Sequence, residues 1–154
     1  MDFFVFIYLP GQTEAVPAGL FEYDPGQSLG MFRYGNRYLL REDALPVDPI
    51  ALPLGENIRP CETNSGLYGA FRDASPDMWG RLVTAKALKV PPESLNEGDY
   101  LLHSSGLRVG NLDFRTSPDA PEPEYVVPDI TEIDELIDAA RRIRNDQPLS
   151  LPTD

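Results

Sequence analysis

The run Gly69-Ala70-Phe71-Arg72-Asp73-Ala74-Ser75-Pro76-Asp77-Met78-Trp79-Gly80-Arg81 decides the fold of the middle of this 154-residue chain. It combines a polar turn, a strong helix start and the only tryptophan of the protein. Ser75 is a favourable N-cap, Pro76 suits the first helical position, and Asp77 meets the positive end of the helix dipole. Apolar residues then recur at helical spacing, which predicts a helix over about residues 76–88.

The first forty residues, upstream of this run, have the pattern of strands separated by turns. Residues 3–9 are aromatic and β-branched, residues 18–23 alternate in polarity, and a turn rich in Pro and Gly follows each segment. Residues 31–40, with Gly35-Asn36 at their centre, predict a tight hairpin. Four prolines fall between residues 45 and 60, which predicts an extended edge or loop that lies partly on the core.

Downstream, Ser94-Leu95-Asn96-Glu97 has the form of a capping box and predicts a short helix through residues 100–102. Residues 108–114 predict a returning strand. The expected fold is therefore α+β, with an N-terminal antiparallel meander followed by a few helices and a returning strand. The expected organisation is one subdomain over residues 1–116, a Pro-rich acidic linker over 117–128, an amphipathic helix over 129–145 and a tail over 146–154.

Composition excludes several kinds of site. The formal net charge is −12, from 25 acidic and 13 basic side chains, which opposes direct contact with nucleic-acid phosphates. One cysteine, Cys61, cannot form an internal disulfide, and one histidine, His103, makes a histidine-based zinc site unfavourable. The apolar opening segment of seven residues is too short to cross a bilayer, so we expect no membrane contact and a cytoplasmic location.

The order of short motifs resembles the N-terminal region of HipA-like toxins, the serine/threonine kinases of bacterial type II toxin–antitoxin systems. Residues 69–81 are similar to a "G-x-F-x-D-x-x-P-D-x-W-G-R" run of that family, and Asn111 departs from the small residue usual in its "R-x-G-A-L-x-F" strand. In order and spacing the resemblance spans nearly the whole chain. The other matching segments are Phe21-Glu22-Tyr23, Phe32-Arg33-Tyr34, Ile50-Ala51-Leu52-Pro53-Leu54, Asp99-Tyr100-Leu101-Leu102 and Arg108-Val109-Gly110-Asn111-Leu112-Asp113-Phe114.

The resemblance implies a non-catalytic subdomain that packs on a kinase domain or a separate kinase subunit and modulates it. A helix-turn-helix HipB-like antitoxin is a further implied partner. Phosphoryl transfer needs a phosphate cradle, a metal-binding Asp and a base, and this sequence has no recognisable form of them. We therefore expect no enzymatic activity, cofactor or metal in this chain. The alternatives are a truncated piece of a full-length kinase toxin and an unrelated small binding domain.

Asp77, Trp79 and Arg81 are the candidate partner-binding residues. Trp79 has two interpretations: a core residue beside Met78, or an indole presented near the helix start to another domain or subunit. Gly80 is a poor helix-interior residue, which suggests close approach of other backbone. Asp77 and Asp73, four residues apart, fit a turn and a helix start better than an acid/base pair, and Arg72 and Arg81 fit local ion pairs.

Overall fold

The computed structural model describes residues 1–103 and 110–122, and near the C-terminus residues 133–135, 137, 138, 141, 142 and 145. The strands are β1 (Asp2–Ile7), β2 (Val16–Asp24), β3 (Leu29–Tyr34), β4 (Arg59–Cys61) and β5 (Leu112–Arg115). They form one antiparallel sheet in the order β4-β3-β2-β1-β5. With the helices described below, the architecture is α+β, as the sequence predicts.

The meander of β1, β2 and β3 is confirmed. Asp24 closes the β2–β3 turn, because its Oδ1 accepts hydrogen bonds from the amides of Gly26 and Gln27 at 2.9 and 3.1 Å. The returning strand is also confirmed within the described residues: β5 pairs with the other edge of β1 and sets Phe4 opposite Arg115. β1 thus has a hydrogen-bonded neighbour on both sides.

Four helices and two single 3-10 turns have their full bounds within the described residues. Of the helix predicted over 129–145, residues 133–135, 137, 138, 141 and 142 are helical, residue 145 is a turn, and the others lie outside the described residues. Of the linker predicted over 117–128, residues 117–122 are described and have neither helix nor strand. Residues 123–128 and the predicted tail over 146–154 lie outside the described residues. The helices are α1 (Asn36–Leu39), α2 (Gly69–Ala74), α3 (Met78–Leu88) and α4 (Glu97–His103), and the 3-10 turns are Asn64–Gly66 and Pro92–Ser94.

Phe71 of α2 is the centre of an aromatic core on one face of the sheet. Its ring is fully buried and meets the rings of four neighbours edge-on, at centroid distances of 4.9 to 5.7 Å: Phe21, Phe32, Tyr68 and Phe114. Edge-to-face packing of this kind adds about 0.5–1.5 kcal/mol per pair beyond the burial of apolar area. The first half of the 69–81 run therefore packs α2 against three strands of the sheet, β2, β3 and the edge strand β5.

The predicted hairpin over residues 31–40 is wrong. After β3 the chain turns into α1, and Tyr38 becomes a buried residue whose ring stacks on Tyr34 at 5.9 Å. The Tyr38 hydroxyl donates to the carbonyl of Leu45, which a strand paired with β3 would not allow. β3 instead takes β4 as its second neighbour. Tertiary packing of two tyrosines four residues apart overrides the local hairpin signal of Gly35-Asn36.

Residues 45–60 follow the prediction of an extended edge or loop that lies partly on the core: residues 45–58 form an irregular segment, and residues 59 and 60 belong to the edge strand β4. Val47 and Leu52 are buried, whereas Ile50 is 94% exposed. The Tyr34 hydroxyl accepts from the amide of Val47 and donates to the carbonyl of Leu52, which ties both ends of the turn to the sheet. Asp48, itself buried, accepts at 3.0 Å from the amide of Ala70 and so joins this segment to the start of α2.

Candidate functional site

A cleft of about 480 Å³ lies between the end of α2 and the first turns of α3, where the second half of the 69–81 run is placed. Its walls contain all three predicted partner-binding residues, Asp77, Trp79 and Arg81. The full lining is Arg72, Asp73, Ser75, Pro76, Asp77, Trp79, Gly80 and Arg81. One continuous segment therefore builds the cleft, and its shape depends on how the α2–α3 corner is held.

Asp77 holds one side of this corner. It is the N-cap of α3, and its Oδ1 accepts from the amide of Gly80 at 2.9 Å. The prediction of Ser75 as N-cap and Pro76 as first helical residue is wrong by two residues. Ser75 has extended backbone and closes α2 instead, and Pro76 forces an extended conformation on the residue before it.

Arg81 holds the other side. Its Nη1 and Nη2 donate to the two carboxylate oxygens of Glu97 at 2.9 and 2.7 Å, which joins α3 to α4. Its Nε donates to the carbonyl of Pro76 at 3.2 Å and its Nη2 also reaches Ser75 Oγ at 3.3 Å. The guanidinium lies 4.5 Å from the centre of the Tyr100 ring. Arg81 thus stabilises the corner from inside the chain.

These contacts also set the charge of the site. The hydrogen bonds to Glu97 raise the pKa of Arg81 above its ordinary value. Burial raises the pKa of Tyr100. The positive charge of Arg81 is therefore permanent and is matched by Glu97, while Asp73 and Asp77 keep exposed carboxylates at the rim of the cleft.

Trp79 lies in the first turn of α3 and is half-buried. Part of its side chain packs against the protein, and the rest is accessible to another domain or subunit. Its neighbour Met78 is 49% exposed. The side chains that bury α3 come later in the helix: Leu82, Val83 and Ala85. Gly80 is buried, and its carbonyl accepts from the hydroxyl of Thr84. Within the part of the chain that the structure describes, the indole N–H of Trp79 meets no acceptor.

Glu97 is the residue of this site that the sequence pattern assigns wrongly. The capping-box pattern makes it the reciprocal partner of Ser94, but Asn96 caps α4 by accepting from the amides of Gly98 and Asp99. The carboxylate of Asp99 accepts a hydrogen bond from the amide of Asn96, so a capping box is present two residues later than predicted. The real partner of Glu97, Arg81, lies sixteen positions earlier, and local spacing gives no signal for such a pair.

Of the other candidate residues, Arg72 lines the cleft, whereas Cys61 and His103 are not part of its lining. Arg72 donates to the side-chain oxygen of Asn64 at 3.1 Å. Cys61 is buried on β4 beside Thr63, and His103 ends α4. Among the described residues, no three His, Cys, Asp or Glu side chains come together as metal ligands. No described helix combines the length and the apolar character needed to cross a membrane.

No protein-family model matches the chain, and no curated protein matches it.

Proposed function

We propose that this chain is a non-catalytic N-terminal subdomain of a HipA-like toxin–antitoxin system. In this role it packs on a serine/threonine kinase domain or a separate kinase subunit and modulates that kinase. The observation that carries the proposal is Trp79: the only indole of the chain is presented, half-buried, at the mouth of a cleft in the motif that resembles the family.

A docking role requires apolar side chains held on a rigid support. Trp79 and Met78 occupy the first turn of α3, which the Asp77 cap and the Arg81–Glu97 pair hold in place. Trp is enriched among the residues that dominate binding energy, and such residues are effective when their orientation is fixed before binding. Arg81 contributes by positioning α3, and Asp77 contributes both a cap and an exposed charge.

Phosphoryl transfer, in this proposal, belongs to the partner. Contact with DNA belongs to a helix-turn-helix HipB-like antitoxin, because a chain with a net charge of −12 is repelled by phosphates. A cytoplasmic location is part of the same proposal. Incubation of the purified chain with labelled ATP, Mg²⁺ and a protein substrate should give no transfer, and stoichiometric labelling would contradict the non-catalytic role.

Binding to a kinase tests the proposal directly. The probe is the kinase domain of a HipA-like toxin from the same genome, prepared without its own N-terminal subdomain, and affinity is measured by calorimetry. We expect specific binding, and Trp79→Ala should weaken it by about 30-fold, because truncating a hot-spot Trp costs about 2 kcal/mol or more.

Ile50→Ala is the matched control, since it removes a 94% exposed apolar side chain from another part of the surface and should leave the affinity unchanged. Thermal unfolding of each variant alone separates docking from folding. Absence of binding would overturn the proposal, and would favour an unrelated binding domain. A large loss of stability in Trp79→Ala, with unchanged affinity of its folded fraction, would place Trp79 in the core instead.

A further inference from the structure

We propose that the cleft receives an arginine side chain from the partner, whose guanidinium stacks on Trp79 and pairs with Asp73 and Asp77. This inference deepens the proposed docking function and rests on it for the identity of the partner. It is carried by the charges at the cleft and by a side-chain arrangement that the chain uses twice, once at Arg81 in the wall of the cleft and once at Arg115.

The chain itself shows how it accommodates an arginine. Arg81 lies over the ring of Tyr100 at 4.5 Å while its nitrogens pair with Glu97. On the other face of the sheet, Arg115 lies over the ring of Phe6 at 4.0 Å while its Nε pairs with Asp113 at 3.0 Å. In both places a guanidinium is held between an aromatic face and a carboxylate.

The lining of the cleft holds the ring of Trp79 and the carboxylates of Asp73 and Asp77, and its two arginines contact other groups. In the described part of the chain, no guanidinium lies over the Trp79 ring, and the carboxylate of Asp73 has no ion-pair or hydrogen-bond partner. Asp77 uses one carboxylate oxygen for its cap, and the residue as a whole is exposed. Arg81 cannot supply the cation, because Tyr100 and Glu97 already hold it.

Charge complementarity favours a cation over other occupants. Arg72 and Arg81 also line the cleft, but Glu97 neutralises Arg81 and the side chain of Arg72 bonds to Asn64. Arg72 keeps its charge, since Asn64 is neutral. The three carboxylates of Asp73, Asp77 and Glu97 therefore exceed the two guanidiniums of Arg72 and Arg81 by one negative charge, and the whole chain is also acidic. A planar guanidinium can stack on an indole and pair with a carboxylate at once, which the compact ammonium of lysine does less well.

The test uses the full chain and a small probe, N-acetyl-argininamide, with the neutral isostere N-acetyl-citrullinamide as control. Trp79 is the only tryptophan, so its fluorescence and its indole N–H resonance report on this site alone. We expect the arginine probe to change both signals saturably, with a dissociation constant of order millimolar, as befits a single side chain. The citrulline probe should change neither.

Asp73→Asn/Asp77→Asn should weaken the arginine probe by about tenfold, a loss of about 1.4 kcal/mol. Asn caps a helix as well as Asp does, so this variant removes charge while keeping the corner folded. Asp2→Asn/Glu22→Gln removes two carboxylates from β1 and β2 and should leave probe binding unchanged. Equal responses to both probes, absence of a saturable response, or an unchanged affinity in Asp73→Asn/Asp77→Asn would overturn the inference.

The two proposals fail in different ways. If the arginine probe binds as expected and no HipA-like kinase does, the cleft keeps its ligand chemistry and the proposed partner is wrong. If a kinase binds the chain with equal affinity after Asp73→Asn/Asp77→Asn, and the probe does not bind, the docking function stands and the arginine inference is wrong.

Discussion

The pair formed by Arg81 and Glu97 gives the sharpest prediction, because the same arginine could serve the fold or the partner. We consider Arg81→Met, Glu97→Gln and the combination of both. Met keeps much of the length and apolar stem of Arg and removes its charge and its five N–H donors. Gln keeps the shape of Glu and removes its charge.

The structure sets the size of the effect. The side chains of Arg81 and Glu97 are 33% and 24% exposed, between a surface pair and a buried pair. Exposed pairs contribute about 0.2–1 kcal/mol, and a geometry with two parallel hydrogen bonds lies at the upper end, so the coupling energy should be about 1 kcal/mol. Arg81→Met also loses the contact with Tyr100 and the bond to the carbonyl of Pro76, for a total near 2 kcal/mol.

Urea unfolding of the four proteins gives the coupling energy as a double-mutant cycle. For a chain of this length, about 2 kcal/mol corresponds to a fall in Tm of about 4–8 °C for Arg81→Met. The coupling should shrink as salt is added. A coupling near zero, or an unchanged Tm together with lost kinase binding, would refute the internal role and make Arg81 a contact residue.

Three further predictions concern the supports of the corner and of the irregular segment. Asp77→Ala should cost about 1 kcal/mol in urea unfolding, and Asp77→Asn almost nothing, because Asn retains the cap; equal losses would refute the capping role. Burial alone would raise the pKa of Asp48, but the amides of Ala51, Ala70 and Ile50 donate to its carboxylate and hold the pKa below its ordinary value. The contribution of Asp48 to stability is therefore present above about pH 4 and is lost as the pH falls through the lower pKa of the folded state. Asp48→Asn should therefore make the free energy of unfolding fall less steeply between neutral and acid pH. An unchanged dependence on acid pH in that variant would contradict this. Burial raises the pKa of Tyr34 to about 12, so the stability that its hydroxyl contributes is complete below about pH 10 and is lost as the pH rises to the folded pKa. Tyr34→Phe should cost about 1–3 kcal/mol at neutral pH, because it leaves the amide of Val47 and the carbonyl of Leu52 without their partner; a neutral effect in thermal unfolding would count against the account.

Patterns with a local cause were predictable from the sequence. Strand alternation and turn residues predicted the meander, since period-two burial and the Asp24 turn depend only on neighbouring positions. A helix was also predicted for α3 from the spacing of its apolar residues, although its buried residues, Gly80 and Leu82 to Ala85, are almost consecutive. Its start was misplaced because Ser75, Pro76 and Asp77 each satisfy a helix-start rule, and only the packing of Ser75 against Arg81 separates them.

Features that depend on contacts between residues far apart in the sequence could not be predicted from local patterns. Residues 37–40 carry the polarity of a strand, but residues 37–39 are helical because Tyr38 contacts both the ring of Tyr34 and the carbonyl of Leu45. In the candidate site, the sequence singled out Asp77, Trp79 and Arg81, and the structure brings them to one cleft. It did not indicate that Glu97 engages Arg81, because a pair sixteen residues apart has no periodic signature.

The position of β1 between β2 and β5 has a consequence for how the chain folds during synthesis. Strands β1 to β3 can pair as soon as they leave the ribosome, because the turns between them are short. The second edge of β1, with the sequence Phe3-Phe4-Val5-Phe6-Ile7, must wait for residues 112–115. Until then an apolar strand edge is open to pairing with other nascent chains, which is the usual route to aggregation. We expect a chain that is terminated before β5 to be insoluble. In refolding of the full chain, we expect the pairing of β5 with β1 to be the slow phase.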